Sequence, residues 1–325
     1  MSSPSTSELE FVKLVESHRK SVRLHCYRML GSASDCEDMV QETFVRALRS
    51  LHTLSEPAAA RGWLHRIATN VCLDELKKRA PRVRGPELGP KSRPEDPAPA
   101  PLPDEAWLEP VPSAWLGGAD PDTQYGLKES VALAFVAALQ ILTPAQRAVL
   151  LLRDVVGLSA EETAAALDCS LSAANSTLHR ARVTLEARVG PRSGRPAESH
   201  AAVDRALLER YLRAWESADL DTIVAILHED VILSMPPIPR WLSGLADVGE
   251  FFRAHVRGSF RAHVVEANGA PAAAFYRVKE DRQAHLFAIQ LYELDAGRIR
   301  VIDHFMTKRS LFSFVAEGLS TTIAV

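Results

Sequence analysis

Apolar positions recur at helical spacing through the first two-thirds of the chain and give way near its end to strand-like runs. The clearest helical stretch is Leu142 to Arg188. There Ser159, with Glu162 three residues on, reads as a capping box that opens a helix running to Leu167. Asp168-Cys169-Ser170 is the expected turn, with Cys169 as a small apolar plug, and Ser170 or Ser172 caps a second helix. In that helix Ala174, Leu178, Ala181 and Leu185 share the inward face. Ser172, Ala173, Asn175, Ser176, His179, Arg180 and Arg182 are left outward, and these are groups that reach base edges and phosphates. The pattern is that of a helix-turn-helix with a basic second helix, although an ordinary antiparallel helix pair shares the spacing.

Two further helices are expected earlier. Ser34 to Arg49 places Met39, Val40, Phe44 and Leu48 near an apolar face, with Asp38, Gln41, Glu42, Arg46 and Arg49 on polar positions and Ser34 or Asp35 as the cap. Arg61 to Arg79 turns Leu64, Ile67, Ala68 and Val71 inward and lines another side with Arg66, Asn70 and Lys77; Trp63 is expected to pack inward. Its closing Lys77-Lys78-Arg79 suits both a helix C-terminus and a phosphate. Between Pro81 and Pro121 lie eleven of the twenty prolines and many acids, the composition of an extended tether. Gly190 to Pro196 marks a second break. Beyond it, helical spacing over Ala202–Ser217, Leu220–Leu227 and Asp247–Arg257 precedes strand-like AAAFYRV, HLFAIQLYEL and RIRVIDHFM, an α+β pattern with helices packed on a curved antiparallel sheet.

Composition narrows the function classes. The 325 residues exceed one ordinary core, and a net charge of −3 means that nucleic-acid binding has to rest on local patches. Cys26, Cys36, Cys72 and Cys169 lack the paired spacing of metal ligands, so buried thiols in a reducing compartment are expected, with no metal and no cofactor. The N-terminal residues carry no signal-peptide pattern and the longest apolar runs are too short to cross a bilayer, so a cytoplasmic protein without membrane partners is expected.

The order DCEDMVQETFVRAL, RGWLHRIATNVCLDELKKR, a variable linker and LTPAQRAVLLLRDVVGLSAEETAAALDCSLSAANSTLHRAR resembles the extracytoplasmic-function sigma factors of bacterial RNA polymerase, over about residues 8–190. The resemblance implies a multidomain fold. Sigma region 2 would span 8–80, a Pro-rich acidic linker 81–123 and a region 4 helix-turn-helix 124–190, both helical domains being all-α. It implies core RNA polymerase as partner, through the β′ clamp helices and β flap, and promoter DNA as the second. Asp38, Gln41, Glu42 and Arg46 would dock on polymerase, while Arg66, Asn70, Asp74 and Lys77 would sit near the melted minus-ten element. The loop Thr53 to Ala60 would receive a flipped base. The outward residues of the second helix, Ser172 to Arg182, would then read the minus-35 element.

Residues 203–318, within a third domain expected over 197–325, resemble a SnoaL-like cone of the polyketide-cyclase and ketosteroid-isomerase type, and Trp107-Leu108 in WLEPVP resembles a linker motif of the SigG-like subgroup of tailed sigma factors. The DGGGK signature of another tailed subgroup is missing. Trp107 and Leu108 are expected to anchor the linker on a folded surface. Met235, Trp241, Phe252, Tyr276 and His304 are candidate pocket residues, with a small-molecule ligand left open. Asp303 and His304 are strand neighbours, so only one can face inward. No catalytic residue is assigned, because fold resemblance does not carry function. The expected function is an alternative sigma factor whose activity the fused tail modulates. A bifunctional protein with an enzymatic tail and a helix-turn-helix regulator that never engages polymerase remain as alternatives.

Overall fold

The computed structural model describes residues 6–117, 131–189, 201–256 and 259–324. The Gly190–Pro196 break, the linker end 118–123 and residues 124–130 lie outside them. The chain forms two units, one from Met1–Arg82 with Trp115–Gly194 and one from Val83–Ala114 with Arg195–Val325.

The first unit is helical. Helices α1 (Thr6–Leu30), α2 (Ala33–Arg49) and α3 (Ala60–Leu76) pack around Val22, Tyr27, Val40, Phe44, Leu64 and Ala68. The cap of α2 is Ser32, whose hydroxyl accepts from Asp35 N at 3.1 Å, and neither Ser34 nor Asp35. The Asp35 carboxylate is taken instead by the guanidiniums of Arg79 and Arg82. Leu48, expected near the apolar face, is 54 % exposed, because it follows Val45 around the helix rather than the buried Val40, Phe44 and Ala47. Cys26, Cys36 and Cys72 are free and buried, one from each helix.

Helix α4 (Leu133–Ile141) leads to α5 (Pro144–Leu150), which starts on a Thr143–Gln146 capping box and runs on through a π-helical turn, Leu151–Val156. Gly157, at φ 83°, ends it. Helices α6 (Ala160–Ala166) and α7 (Leu171–Val189) follow. Arg147 ties the two helical parts into one body. Its buried guanidinium donates to Leu139 O at 2.8 Å, to Gln140 Oε1 at 2.7 Å and to the Met29 carbonyl near the end of α1. A buried guanidinium needs an acceptor for each N–H, and the last carbonyls of a helix have no partner within it.

The second unit is α+β. Helices α8 (Ala201–Glu216), α9 (Leu220–Ile226) and α10 (Leu245–His255) accompany a sheet of order β2-β1-β6-β5-β4-β3. Its strands are β1 (Leu227–Met235), β2 (Ile238–Ser243), β3 (Phe260–Ala267), β4 (Ala270–Val278), β5 (Gln283–Asp295) and β6 (Arg298–Phe305), and β7 (Thr322–Ala324) pairs with β5 beyond α11 (Lys308–Ala316). The sheet is mixed rather than wholly antiparallel. β1 joins β6 in parallel, a pairing that needs the long crossover the intervening elements supply. The inner face holds Tyr211, Trp215, Phe252, Phe275 and Ile302.

The Pro-rich segment is not an extended tether over residues 83–114. It folds onto the outer face of this sheet. Val83 N donates to Ala106 O at 2.9 Å and Leu108 N returns to Val83 O at 3.2 Å, which closes 84–106 as a loop. Trp107, Leu108 and Val111 are each about 1 % exposed. Burying a large apolar side chain contributes about 2–3 kcal/mol, which offsets ordering a strap whose prolines have little freedom to lose. Arg84 reaches Asp303 and Glu293, Arg309 reaches Glu105 and Glu109, and Trp241 Nε1 donates to Gly89 O at 3.0 Å. Gly85 lies against Ser234, where a Cβ would come within 2.4 Å of that side chain.

Candidate nucleic-acid interface

The helix-turn-helix is built from local hydrogen bonds. Glu162 N donates to Ser159 Oγ at 3.1 Å and Ser159 N to Glu162 Oε2 at 2.6 Å, the two halves of the capping box. Asp168 adopts φ 50° in the turn, and Ala173 N donates to Ser170 Oγ at 3.1 Å, so Ser170 is the second cap. Ala174, Leu178 and Ala181 are buried while Leu185 is half-buried. Cys169 is exposed rather than a plug between the helices. Leu167 packs on Leu152, Val156, Leu158 and Ala166.

All seven outward residues of α7, Ser172, Ala173, Asn175, Ser176, His179, Arg180 and Arg182, are exposed. Asn175 and Ser176 present polar side chains one turn before the cationic end. Arg180 donates to Thr177 Oγ1 at 3.1 Å. Arg182 is engaged by a carboxylate on another element. Its Nε donates to Asp154 Oδ2 at 3.1 Å and its Nη2 to Oδ1 at 2.6 Å, a fork on the π-helical turn.

On α3, Arg66, Asn70, Asp74 and Lys77 follow one another at helical spacing along one side; Arg66, Asn70 and Lys77 are exposed. Trp63 is buried, and its indole donates to Thr53 Oγ1 at 3.0 Å, which fixes the start of the exposed loop before α3. On α2, Asp38 and Gln41 are exposed. Glu42 and Arg46 are not free ends. Arg46 Nε donates to Glu42 Oε1 at 2.7 Å and Nη1 to Asp74 Oδ2 at 3.1 Å, and Lys77 Nζ donates to Asp74 Oδ1 at 3.1 Å. Lys77 and then Arg46 hold the Asp74 carboxyl below its ordinary range. The structure therefore links two residue sets that the sequence assigns to different partners. Sequence reasoning missed the exposed apolar pair Val45 and Leu48 beside Asp38 and Gln41, which the i, i+3, i+7, i+10 spacing of 38, 41, 45 and 48 could have revealed.

In the second unit the candidate pocket residues separate. His304 and Phe252 face the interior, His304 against Phe275 and Phe287, and Met235 is in the same core. Trp241 and Tyr276 do not line it. Strand alternation turns Tyr276 away from its neighbour Phe275, its hydroxyl donating to Ser320 O at 3.0 Å, and turns Trp241 toward the strap. Asp303 likewise points outward, accepting from Ser234 Oγ at 2.6 Å and from Arg84. Inside, Tyr292 Oη donates to Gln290 Oε1 at 2.7 Å and Gln290 Nε2 to His304 Nδ1 at 2.6 Å. Burial, and then Arg277, pushes His304 down to about 3, so the ring is neutral near pH 7. A cavity of about 220 Å³ opens between Leu207 and Leu208 of α8 and Tyr292, Leu294 and Ile299 of the sheet. None of the five residues proposed from sequence lines it.

Comparison with known proteins gives these surfaces a class. Residues 14–82 match sigma-70 region 2, residues 132–185 match sigma-70 region 4 and residues 208–302 match a SnoaL-like domain, which makes this a sigma-70-type initiation factor with a fused cone. The chain is 40% identical over 296 residues to the ECF RNA polymerase sigma factor SigG of Mycobacterium tuberculosis, across 90% of this chain and 79% of that one. It belongs to the extracytoplasmic-function RNA polymerase sigma factors. The sigma factor SigE of Mycolicibacterium smegmatis is 35% identical over 187 residues, 58% of this chain and 64% of that one. The crystal structure of Mycobacterium tuberculosis SigJ shares the fold, with a TM-score of 0.62 at 22% identity over 93% of this chain and 98% of that chain. No helix among the described residues is long and apolar enough to cross a membrane.

Proposed function

We propose that this alternative sigma factor engages core polymerase through the α2 face of Asp38, Gln41, Val45 and Leu48 and promoter DNA through α3 and α7, with the fused cone modulating initiation through the strap. Exposed apolar side chains beside an acid and an amide suit a protein interface better than solvent. The outward polar and cationic residues of α7 suit base edges and phosphates, and Arg66, Asn70 and Lys77 suit a strand backbone.

The observation that carries the modulatory role is the Val83–Leu108 clasp. Residues 83–130 join the two sigma regions, a contour of about 160 Å at ~3.3 Å per residue, and closing 84–106 as a loop removes about half of it. A domain that holds the clasp therefore sets how far the two DNA-binding regions can separate. The cavity under α8 supports a small-molecule ligand for the cone, and its size, below the ~300–1,000 Å³ of ordinary ligand pockets, restricts it to a small apolar one. Catalysis in the cone is not part of this reading, since Asp303 is committed to Arg84 on the outer face and His304 is held neutral.

In-vitro transcription with purified core polymerase tests the reading. Specific transcripts from promoter DNA selected out of a random pool are expected with the full chain, and a chain that only binds DNA starts none. Truncation after Gly190 and the double change Trp107→Ala with Leu108→Ala should each shift run-off yield several-fold and in the same direction. If both variants transcribe like the intact chain, the strap is only a spacer.

A further inference from the structure

We infer that Asp154 is a specificity-determining residue of the upstream-element interface, acting as a charge gate that withholds Arg182 from DNA until the recognition helix is seated in register. The inference rests on the reading of α7 as the DNA-contacting helix. Asp154 lies on the π-helical turn before the helix-turn-helix and Arg182 in the fourth turn of α7. Their side chains meet through two hydrogen bonds, at 3.1 and 2.6 Å, and each remains partly open to solvent, 58 % for Arg182 and 35 % for Asp154.

That geometry has an electrostatic consequence. A phosphate and the Asp154 carboxylate compete for one planar guanidinium, whose fork suits either acid equally. An exposed ion pair contributes little, so the gate is weak and opens readily. In a loosely docked, sequence-independent encounter a phosphate passes Arg182 too loosely placed to displace Asp154, and the pair stays closed. Once Asn175 and Ser176 lock the helix onto base edges, a phosphate is held there and replaces Asp154. Arg180 donates to Thr177 Oγ1 at 3.1 Å and meets no such carboxylate among the described residues. It is thus available to phosphate in both modes. The gate converts one phosphate contact from a general contribution into one made only at the right sequence.

The test reads salt dependence, because each phosphate neutralised steepens log K against log salt by ~0.9. Holoenzyme assembled from core polymerase and the full chain is titrated on a promoter duplex recovered from a random pool and on a scrambled duplex of equal length. Asp154→Asn should steepen the slope on scrambled DNA by about 0.9 and leave the promoter slope unchanged. The promoter-to-scrambled affinity ratio should fall by about three-fold or more, while Asp154→Glu retains wild-type behaviour. Arg182→Ala should flatten the promoter slope by about 0.9 and leave the scrambled slope alone. An unchanged scrambled slope in Asp154→Asn overturns the gate while leaving α7 as the DNA helix. Equal loss on both duplexes with a lowered melting temperature also overturns it, by making the pair a structural strap. If Arg180→Ala and Arg182→Ala both leave the promoter slope as in wild type, the reading of α7 fails and the gate fails with it.

Discussion

Arg84 donates from Nη2 to Asp303 at 2.6 Å and from Nε to the same oxygen at 2.9 Å, joining the strap to the last long strand of the cone across 219 positions of sequence. Asp303 is 2 % exposed, and Ser234 satisfies its other oxygen. The pair fastens the loop that the Val83–Leu108 clasp closes.

Removing Arg84 leaves a buried carboxylate without its counter-ion. Arg84→Ala should destabilise the second unit by about 3–5 kcal/mol, and Arg84→Lys should recover only part because ammonium lacks the fork. Chemical denaturation together with limited proteolysis checks it. Cleavage within 84–106 should appear in Arg84→Ala before global unfolding, and a strap as resistant as wild type would show that the apolar anchors suffice.

Trp107 is the other anchor. Trp107→Ala should cost about 3–5 kcal/mol of strap docking, the range for truncating a buried aromatic residue. Tryptophan emission reports it: loss of Trp107 should leave Trp241 in a more solvated environment, because the Gly89 carbonyl that accepts from its indole lies on the same strap. An unshifted Trp241 spectrum counts against cooperative docking.

Charge reversal at Asp38 should abolish assembly with core polymerase while the melting temperature stays within the effect of ~0.5 kcal/mol typical of exposed sites. Glu42 reversal should also lower stability, since Glu42 holds Arg46 and through it Asp74. A pull-down against core enzyme beside a melting curve separates the two. Wild-type assembly by Asp38→Lys would remove this face from the interface.

In α7, Arg180→Ala should weaken promoter binding across sequences, whereas Asn175→Ala or Ser176→Ala should alter base preference by ~1–3 kcal/mol per good contact. Profiles over single-base promoter variants decide it. Identical profiles for all three variants would leave the helix without a recognition role.

Three histidines set an acid limit. Burial, and then His65 and Arg28, lowers His25 well below its ordinary value; burial pushes His65 down to about 4 and His304 to about 3. Because the folded state disfavours their protonation, their contribution is complete above the unfolded value near ~6.5 and is lost as pH falls toward about 4 and then about 3. Burial raises Asp35, but Arg82 and Arg79 outweigh it and hold it well below the usual carboxylate range, adding a loss below pH ~4. Denaturation midpoints should fall steadily from pH 7 to 4. A midpoint constant over that range would contradict the buried, neutral assignment.

The sequence by itself determined what depends on neighbours along the chain. The Ser159–Glu162 capping box, the Asp168 turn, the inward Ala174, Leu178 and Ala181 and the outward face of α7 all follow from spacing of a few residues, as does the opposite facing of Asp303 and His304. Only tertiary structure decided contacts between distant segments. Asp35 faces Arg79 and Arg82, so Ser32 takes the cap; Glu42, Arg46, Asp74 and Lys77 form one chain across α2 and α3; Trp241 turns to the strap. The strap shows the reason most plainly. Its proline and acid content describes a solvated tether, and only the three-dimensional surface supplied by β6 and Ser234 makes its burial more favourable than its freedom.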